Sequence, residues 1–142
     1  DMGVDPFLIP ATLSLALAQR LVATLCEDSR KEVPLEGNLA EKIKEDLKDL
    51  PHEARAHVPD TRVIYQAIPS AVCPKGTRGR IALFEALQMT KELEKIILTN
   101  PSEQTIAEEA RRQGMVTLRQ DGILKVLQGK VGLEELSKVV IS

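Results

Sequence analysis

Leu15-Ala16-Leu17-Ala18-Gln19-Arg20-Leu21-Val22-Ala23-Thr24-Leu25 closes an apolar block that opens at Pro6, and its reading decides the fold. Leu8, Ala11, Leu15, Ala18, Leu21, Val22 and Leu25 fall at helical spacing, and Leu13 and Leu17 make other faces apolar too. Pro6 suits a first helical turn, where its missing N–H costs nothing. A helix apolar nearly all round belongs inside an assembly, so the block reads as a core helix over 6–25. A membrane or partner helix is the alternative. The longest apolar stretch, 7–18, contains Pro10, Thr12 and Ser14 and is too short to span a bilayer.

Outward from this block the chain turns polar. Asn38 with Glu41 resembles a capping box, and Leu39, Ile43, Leu47 and Leu50 form one narrow stripe before Pro51 ends the helix. Arg62-Val63-Ile64-Tyr65-Gln66 is rich in strand formers, and 80–87 is β-like. The turn-rich 67–79 between them predicts an antiparallel ribbon of these two runs. Thr90, Ser102 and Thr117 cap three short helices and Gly114 and Gly129 close two of them; a fourth covers about 133–140. Short loops between short helices predict a compact bundle, with Ile106, Leu118, Leu124, Leu127, Leu133 and Leu136 inside. The fold class is mainly α with a small antiparallel β ribbon, in three parts: 1–25, 26–87 and 88–142.

The 142 residues are 43% hydrophobic and 28% charged, a globular mixture. Phe7, Phe84 and Tyr65 are the only aromatic residues, and net charge is −2. Neither stacking platforms nor a basic field is present, so direct nucleic-acid contact is not expected. There is no G-x-x-x-x-G-K-[ST], G-x-S-x-G or H-E-x-x-H. Glu108-Glu109 and Glu134-Glu135 are adjacent on their helices and do not face each other. No catalytic residue is expected. Two cysteines this far apart form no disulfide scaffold, and the compartment reads as reducing. The abrupt start at Asp1, with no basic n-region, reads as an excised or processed piece.

Three strings in order carry a resemblance: 1–10 running into Ala18-Gln19-Arg20-Leu21-Val22; Cys73-Pro74-Lys75 followed by Gly79-Arg80-Ile81-Ala82-Leu83-Phe84-Glu85; and Ala110-Arg111-Arg112-Gln113-Gly114-Met115-Val116-Thr117-Leu118-Arg119-Gln120-Asp121-Gly122, continuing to Gly129. Together they resemble the C-terminal end of the type II secretion and type IV pilus assembly ATPases, the traffic ATPases. The resemblance implies a fragment of a RecA-like hexameric motor, without its phosphate-binding core. ATP and Mg would belong to the parent protein, and this part would have no turnover. Its partners would be other subunits of the hexamer and inner-membrane platform proteins. Its place would be cytoplasmic, peripheral at the inner membrane. A stand-alone helical module docking to a membrane platform is the alternative reading.

Many members of that family carry C-x-x-C twice as a zinc site. Here Ser29 and Gly76 stand where the second thiolate of each pair would be, so Cys26 and Cys73 are degenerate positions. A Cys₂His₂ set with His52 and His57 is conceivable, but two free cysteines and surface histidines are expected, without zinc. Gln19, Arg20 and Arg80 are candidates for nucleotide or subunit contact in the hexamer, since an Arg fork binds phosphate or carboxylate bidentately. Solvated ends and turns are the plain alternative, for these as for Lys75 and Arg78. Arg111, Arg112 and Arg119 read as a solvated face interleaved with acids.

Overall fold

The computed structural model describes residues 15–140. Two antiparallel sheets of two strands each, and six helices, are present among them. β1 (Leu15–Leu25) pairs with β4 (Thr77–Gln88), from Leu15 opposite Gln88 to Ala23 opposite Arg80; the register then shifts before Leu25 meets Thr77. β2 (Lys31–Pro34) pairs with β3 (Val63–Gln66), with Lys31 opposite Gln66.

The expected first helix is corrected over 15–25, which is strand; the rest of that expectation, 6–14, lies outside the described residues. The block is rich in Leu and Ala, which favour helix. A run apolar on both faces, however, looks alike as buried helix or buried strand. Pairing decides: twelve residues of β4 need a partner of matching length, and only β1, with eleven, supplies one. The expected ribbon of 62–66 with 80–87 is corrected for the same reason. Both segments are strands, but four-residue β3 pairs with an equally short β2.

Between β2 and β3 lie α1 (Gly37–Leu47) and α2 (His52–Arg55). Glu36, without a side-chain cap, stands at the start of α1, so Asn38 is inside the helix and does not cap it. After β4 come α3 (Lys91–Thr99), α4 (Glu103–Arg112), α5 (Leu118–Leu127) and α6 (Leu133–Ser137). Their punctuation follows the sequence. The hydroxyls of Thr90, Ser102 and Thr117 accept from the N–H groups of Leu93, Thr105 and Gln120 at 3.0–3.1 Å. Each such cap contributes about 1 kcal/mol.

α5 is the centre of the packing, against β4, α1, α6, β3 and β1. Its Ile123, Val126 and Leu127 join Val22, Leu83, Ile64, Ile43, Val131, Leu136 and Val140 in one buried cluster. Of the residues expected inside, Leu127 and Leu136 are in this cluster, and Leu118 and Leu133 are half-buried against it. Ile106 instead lines a crevice between α4 and the ribbon. The core therefore joins the strands to the helices rather than filling the last four helices alone.

Candidate functional site

Alternation along β1 and β4 gives the ribbon two unlike faces. Ala16, Ala18, Arg20 and Val22 stand opposite Leu87, Glu85, Leu83 and Ile81. This face meets the helices through Val22 and Leu83, which are fully buried. The other face carries Leu15, Leu17, Gln19 and Leu21 opposite Gln88, Ala86, Phe84 and Ala82. It is apolar and open: Leu15 is 52% exposed, Leu17 61%, Leu21 45% and Phe84 49%.

The two edges of the ribbon differ as well. The Phe84 N–H donates to Asp121 Oδ2 at 2.9 Å, and Gln113 brackets Gln88, accepting from its N–H at 3.0 Å and donating to its carbonyl at 2.7 Å. Side chains from α5 and the end of α4 thus close the outer edge of β4. Because edge groups alternate in an antiparallel pair, the residues opposite Gln88, Ala86, Phe84 and Ala82 turn their N–H and C=O to the outer edge of β1. Among the described residues no strand lies along that edge; the Gln19 carbonyl there accepts from Arg20 itself at 3.1 Å. Leu15, Leu17, Gln19 and Leu21 therefore have side chains on the open face and backbone groups on the open edge.

Of the three sequence candidates, Gln19 and Arg80 share the open face, with Ala23 opposite Arg80. Arg20 lies on the opposite face, exposed beyond the core. The ribbon does not bring the three together. Lys75 and Arg78 are exposed near its closed end. Arg111, Arg112 and Arg119, which read as a solvated face, all have acidic partners. Arg111 approaches Asp49 at 3.9 Å, and Arg112 lies 3.3 Å from Glu92 and also bonds Glu109. Arg119 forms a fork on Asp46, both bonds 3.0 Å.

Glu109 is buried under that array. Its Arg112 hydrogen bond holds the carboxyl below its usual 4.5, against burial, which raises it; the Thr90 hydroxyl, at 3.1 Å, adds to the lowering. Glu85 accepts from the Leu118 N–H at 2.8 Å, placing an anion at the start of α5 where the helix dipole favours it. The sequence reading missed Asp46, Glu85, Gln113 and Asp121. Nothing in the local pattern distinguishes these polar residues from ordinary surface, because their partners lie 25 to 73 positions away.

Cys26 and Cys73, expected to be free, form a disulfide with Cα atoms 6.4 Å apart. The expectation failed because sequence separation, 47 residues, says nothing of distance once β1 and β4 pair and bring the two ends together. His52 and His57 are exposed. Among the described residues no three His, Cys, Asp or Glu side chains converge on a metal position. With both sulfurs bonded to each other, the residues at this end of the ribbon do not fit zinc.

A sheet closed along one edge and one face, backed by short helices, is the class of structure this chain provides. Residues 1–138 match the family described as Type II/IV secretion system protein, and the chain belongs to that family. It is 34% identical over 141 residues to the type IV pilus assembly ATPase PilB of Pseudomonas aeruginosa, covering 98% of this chain and 23% of that protein. It is 38% identical over 137 residues to PilB of Thermus thermophilus, covering 96% and 14%. It is 36% identical over 140 residues to the type II secretion system ATPase E of Vibrio cholerae, covering 98% and 25%. The chain thus spans a quarter or less of the length of each of these relatives. No helix among the described residues is long and apolar enough to cross a membrane.

Proposed function

We propose that this chain is the C-terminal, non-catalytic part of a hexameric ATPase that drives type II secretion or type IV pilus assembly. In this reading it contributes subunit packing and partner docking. ATP and Mg are handled by the remainder of the parent protein, at the cytoplasmic face of the inner membrane. The observation that carries the reading is the ribbon's unfinished side. Four large apolar side chains are 45–61% exposed on one face, beside an edge along which no strand lies among the described residues. A patch of that kind is costly in water and marks a contact surface. A nucleotide-binding core extending the sheet past β1 would cover face and edge together. Gln19 and Arg80 would then point at that core or its bound nucleotide, and the helices after β4 would be left to face neighbouring subunits and platform proteins.

The test compares ATP hydrolysis by the isolated chain with that of the parent protein. No turnover by the chain, turnover by the parent, and reduced turnover by the parent carrying Arg80→Ala are expected. Hydrolysis by the chain alone, or an Arg80→Ala parent with unchanged kinetics, would overturn the non-catalytic role and the Arg80 assignment respectively.

A further inference from the structure

We propose that Cys26 and Cys73 are a metal-free dithiol/disulfide site that fastens the excursion 27–72 to the closed end of the ribbon. Three observations carry it. First, the two sulfurs are bonded, and both residues are 2% exposed. Cys26 follows β1 directly, and its N–H donates to the Gly76 carbonyl at 3.0 Å, adding a rung to the ribbon. Cys73 is fixed in a tight turn: its carbonyl accepts from Ser70 and Gly76 at 2.8 and 2.9 Å, and its N–H donates to the Ser70 hydroxyl at 3.0 Å. The pair is held in register by backbone, independently of any ligand.

Second, Gly76 cannot be a ligand position in this fold. It has φ +75°, and a Cβ there would lie 2.8 Å from the Ile68 N and 2.9 Å from the Ile68 carbonyl carbon. Those atoms are backbone and cannot swing aside, so a cysteine at 76 would force the turn open. Third, the Ser29 hydroxyl is buried without a hydrogen-bond partner among the described residues. It stands three residues after Cys26, where a second thiolate would be, and a neutral hydroxyl is no substitute for a thiolate on zinc. A thiolate set for a tetrahedral metal needs four donors; here two sulfurs satisfy each other, one position has no room, and the fourth offers a serine hydroxyl in place of a thiolate.

The chemistry is a two-electron exchange. A dithiol reductant gives two electrons and two protons, the Cys26–Cys73 bond breaks to two thiols, and the reductant becomes its cyclic disulfide. Glutathione disulfide runs the reverse, through a mixed disulfide that the second cysteine resolves with release of two glutathione thiols. Burial of both sulfurs means that exchange waits for the 67–76 turn to open. Reduction then frees the root of the segment carrying β2, α1, α2 and β3.

Peptide mapping of the protein carrying this chain tests the proposal. The protein is equilibrated with glutathione and glutathione disulfide at several ratios, with and without zinc, then acid-quenched and alkylated. Trypsin should release peptide 21–30 joined to peptide 63–75 under oxidising ratios, with zinc making no difference. Dithiothreitol should replace the joined peptide by two alkylated ones. Cleavage within 27–72 by a second protease should be slower in the oxidised form, on the order of tenfold or more, and the Cys26→Ser/Cys73→Ser protein should match the reduced form. Both cysteines alkylated at every ratio, zinc shielding them from alkylation, or equal cleavage of the two redox forms would each overturn it.

Discussion

Gly122 sits inside α5 with Leu136 pressed against it. A Cβ added there would meet Leu136 Cδ1 at 2.2 Å and Cγ at 3.2 Å. Leu136 is 1% exposed, and its Cγ as well as both branches would have to shift to make room. Helix propensity favours Ala over Gly by about 1 kcal/mol, but overpacking a tight core costs about 1–3 kcal/mol. We expect Gly122→Ala to be destabilised by roughly 1 kcal/mol net in urea unfolding; a stabilised variant would mean that α6 can slide. Glu109 gives a second prediction at this scale. Its carboxyl is held below its ordinary 4.5, so the stability it adds is complete above that value and is lost as pH falls through the lower folded one. Glu109→Gln should therefore be less stable at neutral pH by about 1–3 kcal/mol, and the gap should close in acid. A gap independent of pH would show that shape, not charge, sets the contribution.

At the scale of elements, α1 is attached to the rest of the molecule by Ile43 in the core and by the Asp46–Arg119 fork on α5. Both charged side chains are largely shielded, at 16% and 21% exposure. Arg119→Met keeps the stem but leaves Asp46 alone, which should cost about 1–3 kcal/mol. Hydrogen exchange should accelerate in α1 more than in α3 and α4, which pack on each other; uniform acceleration would mean that α1 does not open by itself. Legibility in the sequence follows the same division. The caps at Thr90, Ser102 and Thr117 were readable because a cap is local, a hydroxyl and an N–H three residues apart. The strand β1 was not, because its Leu and Ala favour helix and only the distant β4 makes it a strand. β2, with Val33 as its single strong strand former, gave almost no signal. The open face was half legible: the first block, apolar nearly all round, was expected to lie inside an assembly. The partition of Gln19 and Arg80 from Arg20 depends on strand alternation and could not emerge from a helical reading.

For the whole molecule the decisive quantity is what covers Leu15, Leu17, Leu21 and Phe84. Leu17 is 61% exposed, so a charge placed at the end of its side chain would remain in water. In the isolated chain Leu17→Glu should change stability by no more than about 0.5 kcal/mol, as for other surface positions, and should reduce self-association, since an exposed apolar patch beside a strand edge invites pairing. In the parent protein the same glutamate would be trapped beneath the adjoining core without a partner. The expected loss there is several kcal/mol, seen as lower thermal stability together with weaker subunit assembly. An exposed turn substitution, Lys75→Glu, serves as the control for charge alone and should be silent in both settings. If Leu17→Glu is equally mild in both, the open face stays in water in the complete protein and the packing role proposed for it fails. If it is severe in both, Leu17 already supports the fold of the chain itself.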